Sequence, residues 1–185
     1  SMDSYIAKGL VANVDDLIAG DEELSKNDYL QNVWDAYRVD GKLYYVIPSF
    51  YISTMVGKES IFGDRTSITM EELQTIRDSM PEGTALFSDI TRDSLLDTIS
   101  ISNIRDLNGT INGVFGEDIS FVGFPTDGDM GSVLWAGNRM YALSAKSKNL
   151  DGAWEFLRYY LTQEYQDKIQ EQEYNLPVLR STFEK

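Results

Sequence analysis

Apolar and polar positions are patterned most densely in the last third of the chain, from Gly131 to Arg180, where two apolar runs precede an amphipathic helix and a helix with a Gln-rich polar face. Val133 to Ala136 and Arg139 to Leu143 read as strands around Gly137-Asn138. From Leu150 to Leu161 the spacing puts Ala153, Trp154, Leu157 and Tyr160 or Leu161 on one helical face, and Thr162 caps the next helix. Trp154, Phe156, Tyr159 and Tyr160 are accordingly read as helix packing.

Earlier in the chain, Asp3 to Lys8 predicts a short helix stopped by Gly9, and Val14 to Ile18 a second turn ended near Gly20. Asn27 or Asp28 is expected to cap a helix through Tyr37, with Leu30, Val33, Trp34 and Tyr37 on one face and Trp34 in the core. Within Tyr37 to Val46, Asp40-Gly41 predicts a hairpin, because a type I′ turn needs positive φ at both central positions. Ile47-Pro48 disfavours helix and leads into a strand-like run from Phe50 to Val56.

The middle is less regular. Gly57 to Ser67 is polar and glycine-punctuated, and Thr69 with Glu72 forms a capping-box spacing that opens a helix to about Met80, stopped by Pro81 and Gly83. A helical stretch is expected near Thr91 to Leu96, then a mixed segment from Thr98 to Asp106. Tight turns are expected at Asn108-Gly109 and Asn112-Gly113, a strand at Ile119 to Phe124, and an acidic loop at Pro125 to Ser132. Alternation of strands and helices indicates an α/β fold.

Composition then removes whole classes of chemistry. With 185 residues, 42% hydrophobic, the chain can bury roughly two thirds of its unfolded surface and should be globular. A net charge of −14 opposes phosphate backbones, so no nucleic-acid partner is expected. No apolar run approaches the roughly 18 to 20 residues that span a bilayer. The start lacks a charged n-region followed by an apolar h-region, and because Ser1-Met2 reads as a tag remnant this is weak evidence against a signal or lipoprotein segment.

Zero cysteines remove disulfides and thiolates, and zero histidines remove Ser-His-Asp triads, His-ligated zinc and the usual proton shuttle near neutral pH. A carboxylate pair of the glycosidase type remains available among 30 acidic residues, yet nothing isolates one. Asp15-Asp16 and Glu71-Glu72 sit at helix starts and read as solvated. No catalytic residue is assigned.

Asp127-Gly128-Asp129 resembles part of a calcium loop but lacks the remaining ligands, including the bidentate Glu at the twelfth position, so turn acids are preferred and no metal is expected. Gly9, Gly57 and Gly63 have no phosphate-cradling spacing, and no cofactor is expected. Tyr44-Tyr45 and Tyr159-Tyr160 are assigned no site, since one member of each pair should face the core.

One family resemblance covers about two thirds of the chain, Ser4 to Thr75 and Gly123 to Arg180. Its N-terminal pieces are Tyr5-Ile6-Ala7-Lys8-Gly9-Leu10 before an acidic stretch, Trp34-Asp35-Ala36-Tyr37, Val39-Asp40-Gly41-Lys42-Leu43-Tyr44, Ile47-Pro48 and Thr69-Met70-Glu71-Glu72-Leu73. Later come Gly123-Phe124-Pro125, Ala136-Gly137-Asn138, and Ser147-Lys148-Asn149 ahead of Ala153-Trp154-Glu155-Phe156-Leu157. In this order they resemble family 1 extracellular solute-binding proteins of ABC importers, the superfamily that includes maltose-binding protein.

The resemblance implies one or more periplasmic-binding-protein-like type II lobes, each a mixed sheet flanked by helices. Residues 1–50 and 125–185 would form a discontinuous main lobe, with 51–124 as hinge crossings and the remnant of a second lobe. Family members run to about twice this length and begin with a βαβ unit absent here, so the chain resembles a truncated or internally shortened member. The implied mechanism is recognition without catalysis: lobes closing on a solute by hinges near Pro48 to Ser53 and Phe124 to Val133, and docking on permease subunits. The ligand would be a mono- or oligosaccharide, and the protein a monomer outside the membrane, periplasmic or a cell-surface lipoprotein.

Candidate ligand contacts are Phe50 and Tyr51 after the proline, and Trp135 with Asn138 at the strand turn, since sugar sites combine aromatic faces with a few polar groups. For Phe50 core packing is preferred; for Trp135 both readings stay open. The alternatives are a scaffold domain that keeps the lobe fold without a ligand, and a carboxylate-pair glycosidase.

Overall fold

Strand β1 (Ser49–Lys58), ten residues long, begins where Pro48 has released the chain from irregular structure, and its β-branched and aromatic run follows the pleat. The computed structural model describes residues 1–88, 93–128, 131–172 and 175–185, with the side chains of Ile104 and Asn112 left aside. By its contacts the chain divides into two units, Ser1–Tyr51 with Leu134–Lys185, and Ile52–Val133.

In the first unit, α1 (Met2–Ala7) ends before Gly9, whose φ is 67°, and α2 (Val14–Ala19) is capped by the Asn13 side chain and closed at Gly20. Helix α3 (Gln31–Asp35) carries the buried Val33 and Trp34. After the return of the chain come α7 (Leu150–Arg158), a 3-10 turn over Tyr159–Leu161, α8 (Gln163–Gln172), the short strand β5 (Leu176–Pro177) and α9 (Arg180–Phe183). β5 pairs antiparallel with the start of β1, Ser49 opposite Pro177 and Phe50 opposite Leu176.

The core of this unit contains Val14, Ile18, Tyr29, Val33, Trp34, Leu43, Val46, Ile47, Leu161 and Val178. Tyr29 stacks on Trp34 with centroids 4.7 Å apart, and its hydroxyl donates to the Leu161 carbonyl at 2.5 Å, so burial of both rings leaves no phenol unmatched.

Gln166 lies on the face of α8 expected to be polar, yet it is fully buried. Its amide nitrogen donates to the carbonyls of Pro48 and Tyr160 at 2.9 and 2.7 Å, and its oxygen accepts from the Leu179 amide at 3.0 Å. A buried amide is tolerated when its groups are matched, and this one ties three backbone segments together.

The second unit is built on the rest of β1. Strand β2 (Leu96–Ile101) runs antiparallel to it in the register Ile52 to Ile101 through Gly57 to Leu96, and β3 (Ile119–Ser120) pairs antiparallel with Gly57 and Lys58. Helices α4 (Glu59–Phe62), α5 (Met70–Ser79) and α6 (Ile104–Gly113) accompany these strands. Met55, Phe62, Ile68, Leu73, Leu95, Leu96 and Val122 form the core. Strand β4 (Val133–Ala136), at the second passage between units, also pairs with β1.

Several elements follow their local signals. The capping box is made on both sides: Glu72 N–H donates to Thr69 Oγ1 at 3.1 Å, and Thr69 N–H to the Glu72 carboxylate at 2.8 Å. Asp40 and Gly41 both take positive φ, 50° and 76°, as a type I′ turn requires. The hairpin around them is one rung long, Val39 to Lys42, because the next amide, Leu43 N–H, donates to Asp15 Oδ2 at 3.0 Å and the Leu43 carbonyl accepts from Val14 N–H at 2.8 Å.

Other expectations are overturned by distant partners. The helix expected from Asn27 to Tyr37 is a 3-10 turn at Lys26–Asp28, an extended Tyr29 bridged to Leu179, and only then α3, since Leu30 N–H donates to the Val178 carbonyl. Arg139 to Leu143 is not a continuous strand. Tyr141 bridges Val46, whereas Leu143 and Ala145 bond Ala12 and Leu10, so the segment changes neighbour before a ladder forms.

Leu96 begins β2 rather than ending a helix, and Thr91 lies outside the described residues. Asn108-Gly109 and Gly113 lie inside α6, capped by the Asn103 side chain onto Asp106 N–H at 2.9 Å, where turns were expected. The polar stretch after Gly57 hides α4, whose Phe62 is fully buried. Of the strand expected at Ile119 to Phe124 only Ile119–Ser120 forms a ladder, and Gly123, with φ 68°, keeps a bond to β1, its amide donating to the Met55 carbonyl at 3.0 Å. Phe156, expected to pack, is 68% exposed.

Candidate functional site

The alternation of β1 decides the fate of its two aromatic candidates, because successive side chains point to opposite faces. Phe50 is 3% exposed and packs on Phe183 at 5.8 Å between centroids. It is a core residue, beyond the reach of a solute. Tyr51 faces the other way, is partly exposed and stacks on Trp135, with centroids 6.4 Å apart and planes 17° from parallel.

Trp135 is 45% exposed. Its neighbours on β4 hold it in place: Ala136 is buried, and its amide donates to the Tyr37 hydroxyl at 2.5 Å. Gly137 N–H then donates to the Ser49 carbonyl at 2.7 Å. A Cβ on Gly137 would stand 2.0 Å from Ser49 Oγ and 2.6 Å from Asn175 Oδ1, so only glycine allows this approach. The indole thus projects from a backbone fixed on both sides.

Asn138 follows that glycine and lines a different feature, a cavity of about 440 Å³ within the first unit. Arg139, Tyr141, Tyr165, Lys168, Gln172 and Asn175 share its wall. None of these six was singled out in the sequence. One signal was present: Tyr165, Lys168, Ile169 and Gln172 recur at the i, i+3, i+4, i+7 spacing that shares a helix face. The contribution of Asn138, Arg139 and Tyr141 depends on the route of the chain after β4, which no local pattern encodes.

The wall is aromatic and polar together. Tyr141 stacks on Tyr160 at 4.5 Å and 19°, and Tyr160 meets Tyr165 edge-on at 4.8 Å. Burial holds the Tyr165 phenol above its ordinary range, and hydrogen bonding to Tyr141 does the same for Tyr160, so both remain neutral hydrogen-bonding hydroxyls. The Tyr141 hydroxyl stabilises the charged Arg139 guanidinium through a hydrogen bond, raising its pKa. Lys168 Nζ donates to the Tyr159 hydroxyl at 3.0 Å and to Glu164 at 3.3 Å.

A second concavity, lined by Asp16, Asp21, Glu23, Trp154 and Arg158 among others, has its principal charges paired with one another. Arg158 pairs with Asp21 at 2.6 Å and Glu23 at 3.1 Å, and Trp154 Nε1 donates to Asp21 at 3.1 Å. This is a structural ion pair. Among the described residues no group of three or more acidic side chains is placed to hold a metal ion, and Asp129 of the acidic loop lies outside them.

No protein-family model matches the chain, and no curated protein does. Solved structures match over nearly its whole length. The sugar-binding protein MalE of Xanthomonas citri superposes with a TM-score of 0.63 at 14% identity, covering 98% of this chain and 64% of its own. A family 1 extracellular solute-binding protein of Alicyclobacillus acidocaldarius gives 0.58 at 10% identity, over 97% and 62%. An ABC transporter solute-binding protein of Agrobacterium vitis, solved with bound D-mannitol, gives 0.54 at 16%, over 98% and 63%. The chain therefore spans less than two thirds of the length of these proteins, and the fold it has is that of the extracellular solute-binding proteins of ABC transporters.

Proposed function

We propose that the chain is, or belongs to, the non-catalytic solute-binding component of an ABC importer, that its ligand is a carbohydrate, and that it works outside the membrane, in the periplasm or as a cell-surface lipoprotein that delivers solute to permease subunits. The observation that carries this reading is the Trp135–Tyr51 pair, an indole left 45% exposed on a backbone that Gly137 and Ala136 hold rigidly. A large flat ring kept in water by a fixed strand gains little for folding and suits the apolar face of a sugar ring.

Asn138, although it lines the cavity and not the Trp135 surface itself, supplies a polar group within reach of the same ligand. It lies three positions after Trp135, so their Cα atoms are at most about 11 Å apart, a span that one or two sugar rings cover. The fold supports the reading, since the superposed MalE is a sugar-binding protein and the Agrobacterium vitis protein holds a polyol.

Titration calorimetry against a panel of mono- and oligosaccharides tests it. At least one should bind, and Trp135→Ala should weaken that binding by about tenfold or more, the equivalent of losing one stacked ring contact. Trp135→Ala also removes the packing of the indole on Tyr51, so thermal melts check that the variant remains folded and the loss of binding is read on folded protein. A panel that produces no heat and no thermal shift would sink the proposal.

A further inference from the structure

We propose that the cavity walled by Arg139, Tyr165 and Lys168 selects a small hydroxylated solute that carries an anionic group, a sugar acid or a sugar phosphate. This rests on the solute-binding reading above and adds the chemical class of the solute, through residues other than Trp135.

The first argument is electrostatic. The chain carries a net charge of −14, with 30 acidic residues available to neutralise 16 basic ones. Arg38 has Asp15 and Asp35 as partners, and Arg158 has Asp21 and Glu23. Arg139 differs. Among the described residues it has no carboxylate partner, and what faces it is phenolic: Tyr141 by hydrogen bond, with Tyr160 and Tyr165 beyond. A guanidinium with no carboxylate partner among the described residues, on the wall of a cavity in a chain this acidic, keeps its paired donors for two oxygens of one anion, an arrangement that carboxylate and phosphate both offer.

The second argument concerns the rest of the wall. Asn138, Gln172 and Asn175 bring amide groups, Tyr141 and Tyr165 bring hydroxyls, and Lys168 adds a second cation. Lys168 already shares its charge with Glu164, so it supplements the anion site rather than forming it. Amides and phenols suit hydroxyl groups, and aromatic faces suit C–H surfaces. A purely inorganic anion could accept from these amides and hydroxyls but would leave the aromatic faces without a partner, whereas an anionic sugar uses both. The volume, about 440 Å³, lies near the lower end of the roughly 300 to 1,000 Å³ typical of small-molecule sites, so the solute is of monosaccharide to disaccharide size.

The experiment compares glucose, glucuronate and glucose 6-phosphate by titration calorimetry at low ionic strength, on the parent chain and on the Arg139→Gln and Tyr165→Phe variants. At least one anionic sugar should bind about tenfold or more tightly than glucose, as a charge-assisted bidentate contact predicts. Glucuronate in that role identifies the group as a carboxylate, and glucose 6-phosphate as a phosphate.

Arg139→Gln should bring the ratio of anionic to neutral affinity close to one, and Tyr165→Phe should weaken the anionic sugar while keeping the ratio above one. Far-UV circular dichroism melts check that both variants remain folded, and Tyr165→Phe, which loses only a hydroxyl, gives a second reading if Arg139→Gln unfolds. Glucose binding as tightly as both anions, or an anion preference that survives Arg139→Gln, overturns the inference. If glucose then still depends on Trp135, the solute-binding reading stands without it. An anionic sugar that depends on Arg139 but not on Trp135 supports the inference and displaces the role given to the indole. Binding of none of the three sugars counts against both.

Discussion

Asp21 shows how one carboxylate can organise a whole corner of the fold. Its side chain is only 5% exposed, accepts from Arg158 and Trp154, and also takes the amides of Glu23 and Leu24 at 3.0 and 3.1 Å. The Arg158 hydrogen bond holds its pKa well below the ordinary carboxylate range. Because the folded pKa is depressed, the unfolded chain takes up the proton first as pH falls. The stabilisation is thus complete above the unfolded value near 4 and is lost progressively below it. Thermal melts between pH 6 and 2.5 should therefore show a decline that is shallower in Asp21→Ala. That variant should lose about 3 kcal/mol at neutral pH, since Arg158 is left partly buried without its partner. An equal acid slope in variant and parent would remove Asp21 from this role. Gly57 makes a steric case of the same kind. A Cβ there would stand 2.4 Å from the ring of the fully buried Phe62, which must shift within the core to admit it. Gly57→Ala should cost about 1 to 3 kcal/mol by urea unfolding, as overpacking in a closed core does.

At the scale of the element, α6 sets helix against turn within a single stretch of sequence. Asn108-Gly109 carries a turn signal, yet Gly109 sits in the middle of a capped ten-residue helix, without positive φ and with nothing within 4 Å of the point a methyl group would occupy. In a helix Gly109→Ala removes the entropy cost of glycine and should stabilise the protein by about 0.5 to 1 kcal/mol; in a tight turn it would do the reverse. The sign of the change in denaturation midpoint is therefore the measurement. The same contrast explains what the residue pattern conveys. The Thr69–Glu72 box, the Asp40-Gly41 turn, the exit after Pro48 and the ends of α1 and α2 depend on groups a few residues apart, and they are legible. Tyr29 is extended because Leu179 pairs with it, and Leu96 is a strand because Gly57 does; both partners are distant in sequence. For the candidate site, Trp135 stands out as a strand tryptophan beside Gly137-Asn138, and its exposure follows from the pleat. The cavity wall is different: it joins α8 to the irregular path after β4, and only the α8 half has a period to read. Phe50 and Tyr51, equivalent as residue types, are separated only by which face of β1 the core occupies.

For the molecule as a whole, the decisive quantity is charge. Thirty acidic against 16 basic residues leave many carboxylates facing one another across the surface, with their repulsion present in the folded state and relaxed on unfolding. Salt acts on two opposing contributions. It screens the favourable ion pairs, of which Lys168–Glu164, Arg180–Glu184 and Lys185–Asp167 involve exposed lysine or arginine side chains and contribute only about 0 to 1 kcal/mol each. It also screens the net repulsion, which involves every unpaired carboxylate within a Debye length of about 10 Å at 0.1 M. The better-shielded Asp21–Arg158 and Asp15–Arg38 pairs are less affected on either count. Salt therefore removes more repulsion than attraction, and the melting temperature should rise as sodium chloride goes from about 10 mM to about 200 mM, where the Debye length falls from about 30 Å to below 8 Å. The anionic-sugar site predicts the opposite trend for binding, because the same ions compete for Arg139. Thermal melts and titrations over one salt series thus separate the two effects: stability should increase while affinity for the anionic sugar decreases. A melting temperature that falls over this range would mean that the ion pairs, not the excess acid, dominate the electrostatics of the fold.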